Sequence, residues 1–308
     1  MCQILGRFGT WYRRVPVVDH RFVAEIPKLD APVLVVMLTG WIDASGAAAA
    51  AMAALEQECN TSALVEFDDD LYIDYRARRP ILELRDGVND HLIWSSPSLQ
   101  HGRDPGGRDV LTLSGPEPDM AWHRFASTIA ELADQLGVVR MAALGAYPFA
   151  TPHTRPSHVS ATSPSRDVLT ALPFRTSSVD VPAGMAAALE LTVHERGIPA
   201  VGIWAQVPHY VASMSYPAAS VALLEGLTTA TGVRVEATEL RRESVLQRER
   251  LDQLVEGNDE HQAMIAQFER LYDAADDAST TPAGGLELRT AEELADEVER
   301  FLREQGKS

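Results

Sequence analysis

The chain has 308 residues, with 44 aspartates and glutamates against 27 lysines and arginines, and a formal net charge of −17. Such an acidic surface repels phosphate backbones and anionic membranes, so neither nucleic acid nor membrane is an expected partner. Cys2 and Cys59 are too few for a disulfide framework or a cysteine-based zinc site, and the lack of a long apolar segment or a signal-peptide pattern predicts a cytoplasmic protein.

In chain order, strands and helices are predicted to alternate. The apolar run 31–39 is typical of a strand buried on both faces, and an alanine-rich helix follows to about Glu58, capped by Asp43 or Ser45. A hairpin is predicted where 81–85 and 91–95 flank Asp86-Gly87. Further strands are predicted at 61–67, 110–113, 138–146, 174–179 and 200–205, and further helices at 119–136, 182–196 and 217–230. Repeated βα units predict an α/β fold whose mostly parallel sheet carries helices on both faces.

The C-terminal part of the chain has a different character. Apolar residues keep helical spacing among many charges, with a break at Gly257-Asn258, a linker at 275–286 and a last helix that opens with a capping box from Thr290 to Glu293. We therefore expect an α/β core over residues 1–235. A C-terminal helical extension over 236–308 is expected to pack on the core or on a neighbouring subunit.

Several cofactor-dependent chemistries are disfavoured by the sequence. Lys28 and Lys307 are the only lysines, and neither is placed for a pyridoxal Schiff base, a P-loop or ATP-dependent ligation. A dinucleotide fingerprint, a zinc-protease motif and a nucleophile elbow are also missing. We therefore expect no cofactor and no metal.

Four polar clusters directly follow predicted strands, at residues 40–43, 115–118, 152–156 and 208–210. The loops after parallel strands share one edge of an open sheet, which is the usual ligand side. A fifth cluster, residues 74–80, follows an acidic run at 68–70 and is expected to reach the same edge. The sequence therefore predicts a functional rim along the C-terminal ends of the strands.

The rim residues have side chains suited to anions. Paired arginines can hold phosphate or carboxylate in bidentate fashion, and a histidine beside an arginine can donate or accept a proton. Each candidate also has a structural alternative: Asp43 as a helix cap, Glu117 as the neutraliser of a helix N-terminus, the arginines as ion-pair partners of the nearby aspartates. Catalytic residues are not assigned, and the ligand- or anion-binding candidates are Asp43, Arg76, Arg78, Glu117, His153, Arg155, His209 and Tyr210.

As a set, these clusters resemble the proteasome assembly chaperone family, in particular its bacterial and archaeal members. The resemblance covers about residues 15–235 and implies a three-layer α/β/α fold akin to nucleoside phosphorylases, followed by C-terminal helices as in actinobacterial members. It also implies a homo-oligomer, such as a trimer. The matching segments are Gly40-Trp41-Ile42-Asp43-Ala44, Tyr75-Arg76-Ala77-Arg78-Arg79-Pro80, Gly115-Pro116-Glu117-Pro118 with Trp122, Pro152-His153-Thr154-Arg155-Pro156, and Trp204-Ala205-Gln206-Val207-Pro208-His209-Tyr210-Val211.

The last residues of the sequence depart from that family. Members that dock on proteasome rings end in a hydrophobic residue, a tyrosine and any residue, whereas this sequence ends Arg303-Glu304-Gln305-Gly306-Lys307-Ser308, so docking by that route is not expected. The favoured interpretation is a binding or assembly protein whose partners are itself and another protein. The alternatives are an enzyme acting on a small anionic substrate, by phosphorolysis rather than by ATP-dependent ligation, and a rim that serves subunit contacts alone.

Overall fold

A computed structural model describes residues 19–279 of the chain. Its strands are β1 (His20–Phe22), β2 (Val33–Thr39), β3 (Ser62–Phe67), β4 (Ile81–Arg85), β5 (Val88–Ile93), β6 (Ser98–Arg103), β7 (Asp109–Pro116), β8 (Arg140–Phe149), β9 (Val159–Thr162) and β10 (Ala200–Pro208). Its helices are α1 (Ala47–Glu58), α2 (Asp69–Tyr72), α3 (Trp122–Gln135), α4 (Arg166–Thr170), α5 (Met185–Glu195), α6 (Pro217–Thr231), α7 (Thr238–Glu256) and α8 (Asp259–Ser279). Between residues 19 and 279, no helix is long and apolar enough to cross a membrane.

Eight strands form one sheet in the order β1-β3-β6-β7-β2-β8-β10-β9. The four strands β7, β2, β8 and β10 are parallel to their neighbours within that group, whereas the pairs on both flanks are antiparallel. Because β3 is two antiparallel steps away from β7, it points the same way as the central group. Strands β2, β3, β7, β8 and β10 therefore share one direction, which confirms the predicted mostly parallel sheet.

Helices cover both faces of the sheet, so the fold has three layers. In β2, Val33 and Val35 face the core that α1 and α6 complete, whereas Leu34 and Val36 face the core that α3 and α5 complete. All four side chains are at most 1% exposed, which explains why the run 31–39 is continuously apolar rather than alternating. The predicted α/β/α architecture is confirmed.

Some predicted elements differ from the structure. The segment 174–179 is not a strand; Arg175 alone forms a bridge, with Ser160. Conversely, β1, β6 and β9 were not predicted, because they are short or polar and form through pairing with longer neighbours. Residues 275–279 of the predicted linker belong to α8, and the capping box at Thr290 lies outside the described residues.

The C-terminal helices return to the body of the molecule. Helix α7 packs along α6 and inserts Leu251 into the core that contains α1 and α6. The chain turns at Gly257-Asn258, and α8 runs back with Ile265 buried. These helices lie over the loop that follows β8, so they bear directly on the predicted rim.

Candidate functional site

The ends of the central strands form one continuous edge. Thr39 of β2 lies opposite Pro116 of β7, and Pro208 of β10 lies opposite Phe149 of β8. Asp43 is bridged to Ala146 of β8. The polar clusters that follow these strands therefore start from the same edge of the sheet, which we call the rim.

On one part of the rim, Arg78 lies against the backbone of Gly40. The Arg78 guanidinium pairs with Asp119, with 2.9 Å between Nε and Oδ1, and Asp119 also accepts the backbone N–H of Asp74. Gly40 has φ +121°, and a Cβ on it would lie 2.8 Å from Nη2 of Arg78 and 3.0 Å from Cγ of Glu117. The positive φ of Gly40 favours a glycine at this position, and the absence of a Cβ leaves room for the Arg78 guanidinium. We call Gly40, Arg78, Glu117 and Asp119 the Arg78 cluster.

Glu117 belongs to the same cluster, and its carboxylate stabilises a helix start. Its Oε2 accepts the backbone N–H of Met185 at 3.0 Å, at the first residue of α5. The sequence predicted such a role, but for the helix that directly follows Glu117 rather than for α5. The neighbouring Trp41 packs on Gly184, where a Cβ would lie 2.8 Å from the indole.

Asp43 also stabilises a helix start. Its carboxylate accepts the backbone N–H groups of Ala48 at 2.8 Å and Ala49 at 3.1 Å, in the first turn of α1. Burial raises the pKa of Asp43, and these N–H donors oppose that rise. Asp43 therefore caps the helix, which is the structural alternative given for it above, although the N-cap position of α1 is occupied by Gly46.

On the other part of the rim, Arg155 is surrounded by carboxylates of α8. Its Nε and Nη2 each donate to Asp273 at 2.9 Å, and its Nη1 donates to Glu269 at 3.1 Å. The Thr154 hydroxyl donates to the same Glu269 oxygen at 2.6 Å. These acids raise the pKa of Arg155, so its charge is permanent. We call this set, with His153 and Tyr210, the Arg155 cluster.

His153 lies beneath α7 and makes three hydrogen-bond contacts. The Tyr210 oxygen is 2.7 Å from Nδ1 and also accepts the backbone N–H of His153 at 2.7 Å, while Nε2 is 3.2 Å from Asp252 of α7. Burial lowers the pKa of His153, although Asp252 opposes this, so the ring is neutral at pH 7. The network is consistent when Tyr210 donates to Nδ1 and Nε2–H donates to Asp252.

This chain of groups could in principle move a proton between Tyr210 and Asp252. The His153 side chain is only 1% exposed, however, so a substrate cannot reach the imidazole in this conformation. Burial also raises the pKa of Tyr210, which keeps the phenol protonated. The arrangement is therefore better explained as a contact that holds α7 on the body of the molecule than as a catalytic site.

His209 and Arg76 lie at the margins. His209 is exposed, and its ring meets Phe268 of α8 edge-on, with centroids 5.4 Å apart. Arg76 is exposed, and its backbone N–H, rather than its guanidinium, contacts Asp74. Among the described residues, no hydrogen bond or ion pair joins the Arg78 cluster to the Arg155 cluster. Arg78 and Glu117 therefore form one group, and His153, Arg155, His209 and Tyr210 form another, with Asp43 and Arg76 apart from both.

Sequence reasoning missed the acidic partners of these clusters. Asp119, Asp252, Glu269 and Asp273 were not named, although they satisfy most of the rim's cations and its buried histidine. The spacing of Glu269 and Asp273, four residues apart on one helix face, was the available signal. It could not be used because the sequence does not show which surface α8 covers.

The fifth predicted cluster reaches the same edge and borders an open cleft of about 720 Å³. Tyr75 and Trp94 pack edge-to-face there, with ring centroids 4.6 Å apart. The acids Asp68, Asp69 and Asp70 line the same cleft, with Asp69 bonded to Ser96. The cleft is acidic and aromatic, so it does not suit the anionic ligand that the arginines suggest.

One group of side chains has the spacing of metal ligands. In the part of the chain that the structure describes, the ligand atoms of Glu83, Asp90 and His91 lie within 4.8 Å of one another on β4 and β5. Glu83 already pairs with Arg85, and His91 with Asp90. The group is largely exposed to solvent, and we assign no metal to it.

A family model and several solved structures match this chain. The model of the PAC2 family matches residues 37–255. No protein with curated function matches the sequence. A Corynebacterium glutamicum protein of unknown function has a TM-score of 0.79 and 27% identity, covering 85% of this chain and 99% of its own.

Two Mycobacterium tuberculosis proteins are also similar. One, of unknown function, has a TM-score of 0.76 and 33% identity, covering 84% of this chain and 90% of its own. The other is described as a proteasome-assembly chaperone homologue. It has a TM-score of 0.70 and 33% identity, covering 77% of this chain and 99% of its own.

Proposed function

The chain belongs to the PAC2 family, and we propose that it is a chaperone-like protein that binds and helps to assemble other proteins, working in the cytoplasm as a homo-oligomer. The similarity to a mycobacterial proteasome-assembly chaperone homologue, at 33% identity over 77% of this chain, supports this role. The assembly partner of this chain is then itself a protein rather than a metabolite.

The observation that carries the proposal is that the rim's candidate groups are bound by the chain itself. Arg78 is paired with Asp119, Glu117 stabilises the start of α5, and Arg155 is bound by two carboxylates of α8. An anion-processing enzyme needs donors that are open to substrate, since they must stabilise charge that develops in the reaction. In this conformation Arg78, Glu117 and Arg155 are not open to a small substrate, which disfavours turnover.

The hairpin of β4 and β5 supports self-association. It forms a separate two-stranded sheet, and each of its residues except the half-buried Glu83 is exposed. Ile81 is 65% exposed and Val88 66%, and Leu82, Leu84, Leu92 and Ile93 are also exposed. An isolated two-stranded ribbon is marginally stable in water. We infer that the hairpin packs against another copy of the chain, as in the trimer that the family resemblance implies.

Affinity capture tests the proposed role. We expect the tagged chain, captured from its native host at physiological salt and cross-linked, to retain one protein partner in fixed stoichiometry. An equally acidic, unrelated protein with the same tag serves as the control, because it reports proteins that bind by charge alone. Recovery of the same proteins with both baits would contradict the proposal.

One observation favours the enzyme alternative. The contacts from Asp252 through His153 to Tyr210 are those of a proton relay, and opening of α7 would expose them. An enzyme acting by phosphorolysis would be stabilised by its ligands, since binding to the folded state raises the melting temperature. Thermal-shift screening with phosphate, nucleosides and nucleotides decides this. A concentration-dependent rise favours the enzyme, and flat melting temperatures oppose it.

A further inference from the structure

Helix α8 presents a row of acids to a row of bases on the body of the molecule. Glu269 and Asp273 bind Arg155, as described above, and Asp276 accepts from Nη2 of Arg175 at 2.7 Å. The acids fall at positions i, i+4 and i+7, which places them on one face of the helix. The match therefore extends over two turns of α8.

Aromatic contacts lie beside these ion pairs and set the same alignment. The Tyr272 ring stacks on His158, with centroids 4.0 Å apart and an interplanar angle of 9°. Phe268 lies parallel to Tyr210 at 6.4 Å and meets His209 edge-on. Both charge and ring stacking therefore specify how a helix lies on this surface.

The backbone on the basic side of the contact is held by the body of the molecule rather than by α8. Pro156 directly follows Arg155 and disfavours a helical backbone at Arg155, and Pro152 fixes the backbone at the start of the same segment. The carbonyl of Arg175 accepts the N–H of Ala161 in β9 at 2.9 Å. In a chain of net charge −17, the guanidinium groups of Arg155 and Arg175 form a cationic surface that also includes the neutral side chains of Thr154 and His158. We call it the basic row.

The contact between α8 and the basic row is open to competition. The Arg155 side chain is 33% exposed and Asp273 is 54% exposed. Exposed ion pairs are weak and are screened by salt. Helix α8 is joined to α7 through Gly257-Asn258, so it could leave the surface while α7 stays anchored by Leu251 and by the contact of Asp252 with His153.

We propose that the basic row is a docking site for an acidic amphipathic helix of a partner protein, and that α8 occupies this site until such a helix displaces it. The proposal rests on the proposed binding function and names the chemistry of the partner. The required helix carries carboxylates at i, i+4 and i+7 and an aromatic residue at i+3, as Glu269, Tyr272, Asp273 and Asp276 do in α8. Intramolecular occupancy makes binding of a partner conditional, because α8 competes at a high effective concentration.

The test uses the full chain and a fluorescent 21-residue peptide with the sequence of α8, residues 259–279. A chain carrying E269Q and D273N should bind this peptide in anisotropy titrations at low salt about tenfold more tightly than the wild-type chain, since its own helix competes less well. Adding R155A to that variant should abolish the gain. R166A is the matched control, because Arg166 is exposed on α4 and takes no part in the contacts with α8 described above.

Two outcomes would overturn the proposal. One is peptide affinity that is equal for the wild-type chain and the E269Q/D273N chain. The other is equal affinity for a scrambled peptide of the same composition, which would reduce the contact to charge alone. R155K and R175A provide second variants if R155A fails to fold, as judged by circular dichroism. The assay contains no assembly partner, so its failure leaves the proposed function standing, and failure of partner capture leaves the docking site standing.

Discussion

Glu190 is a buried acid that couples the edge of the sheet to pH. It is 5% exposed on α5, and its Oε2 accepts the hydroxyl of Thr162, which in turn accepts the indole N–H of Trp204. Burial raises the pKa of Glu190 to about 8, although the Thr162 hydrogen bond opposes this. The group is therefore protonated in the folded chain at neutral pH, whereas in the unfolded chain it is ionised.

We predict that E190Q stabilises the protein at alkaline pH. The folded state holds a proton that the unfolded state loses near pH 4.5, so stability falls as the pH rises from about 4.5 to 8 and then levels off. At pH 8 the gain from E190Q is on the order of a few kcal/mol, since each pKa unit corresponds to about 1.4 kcal/mol. Near pH 4.5 the two proteins should be nearly equal.

Urea unfolding of E190Q and of the wild-type chain at several pH values measures this difference. E195Q is the control. Glu195 is exposed on the same helix, so this substitution should leave the dependence of stability on pH as it is in the wild-type chain. A variant that is less stable than the wild type at pH 8 would contradict the prediction.

At the scale of elements, the sequence predicted best those strands and helices whose own residues determine their structure. The run Val33–Thr39 is apolar at nearly every position, and the alanine-rich α1 follows it, so both were predictable. Strand β6, with sequence SLQHGR, has too few apolar residues to be recognised and forms because β3 and β7 flank it. The segment 174–179 has strand-forming residues but lacks a pairing partner beyond one bridge.

The same distinction between local sequence and packing against other elements applies to the rim. Its residues were predictable because parallel strands end together, which is a rule of topology. The contacts that these residues make were not predictable, because they depend on where α7 and α8 pack. Arg155 and His153 could be taken for ligand-binding groups until Asp273 and Asp252 are seen beside them. Site membership of the eight candidates remains a prediction.

The hairpin of β4 and β5 yields a prediction at this scale. If the hairpin joins copies of the chain as proposed, we expect I81E with V88E to leave the chain monomeric. Both side chains are about two-thirds exposed, so the substitutions should disturb the fold of a single chain little. Light scattering coupled to size-exclusion chromatography measures the mass. L191E is the control, since Leu191 is 58% exposed on α5. A wild-type monomer, or a double variant with unchanged mass, would contradict the prediction.

At the scale of the whole molecule, three features point toward protein contacts. The sheet and its helices supply a rigid body, the hairpin extends apolar surface away from it, and α8 covers a basic row at the rim. Two of these features have separate proposed consequences: self-association for the hairpin and conditional partner binding for the basic row. Together they fit the proposed role of a protein that binds other chains, and the chain's membership of the PAC2 family supports that proposal.

Because a similar protein is described as a proteasome-assembly chaperone homologue, proteasome α and β subunits are the first partners to test. Native mass spectrometry of the chain mixed with these purified subunits from its own source organism tests the proposed assembly role most directly. We expect a complex of fixed stoichiometry with incompletely assembled subunits, and a faster appearance of complete rings than in its absence. With the hairpin variant I81E/V88E, which should not oligomerise, complete rings are expected to appear more slowly than with the wild-type chain. Subunits that assemble at the same rate with and without the chain, with no complex detected, would contradict a role in proteasome assembly.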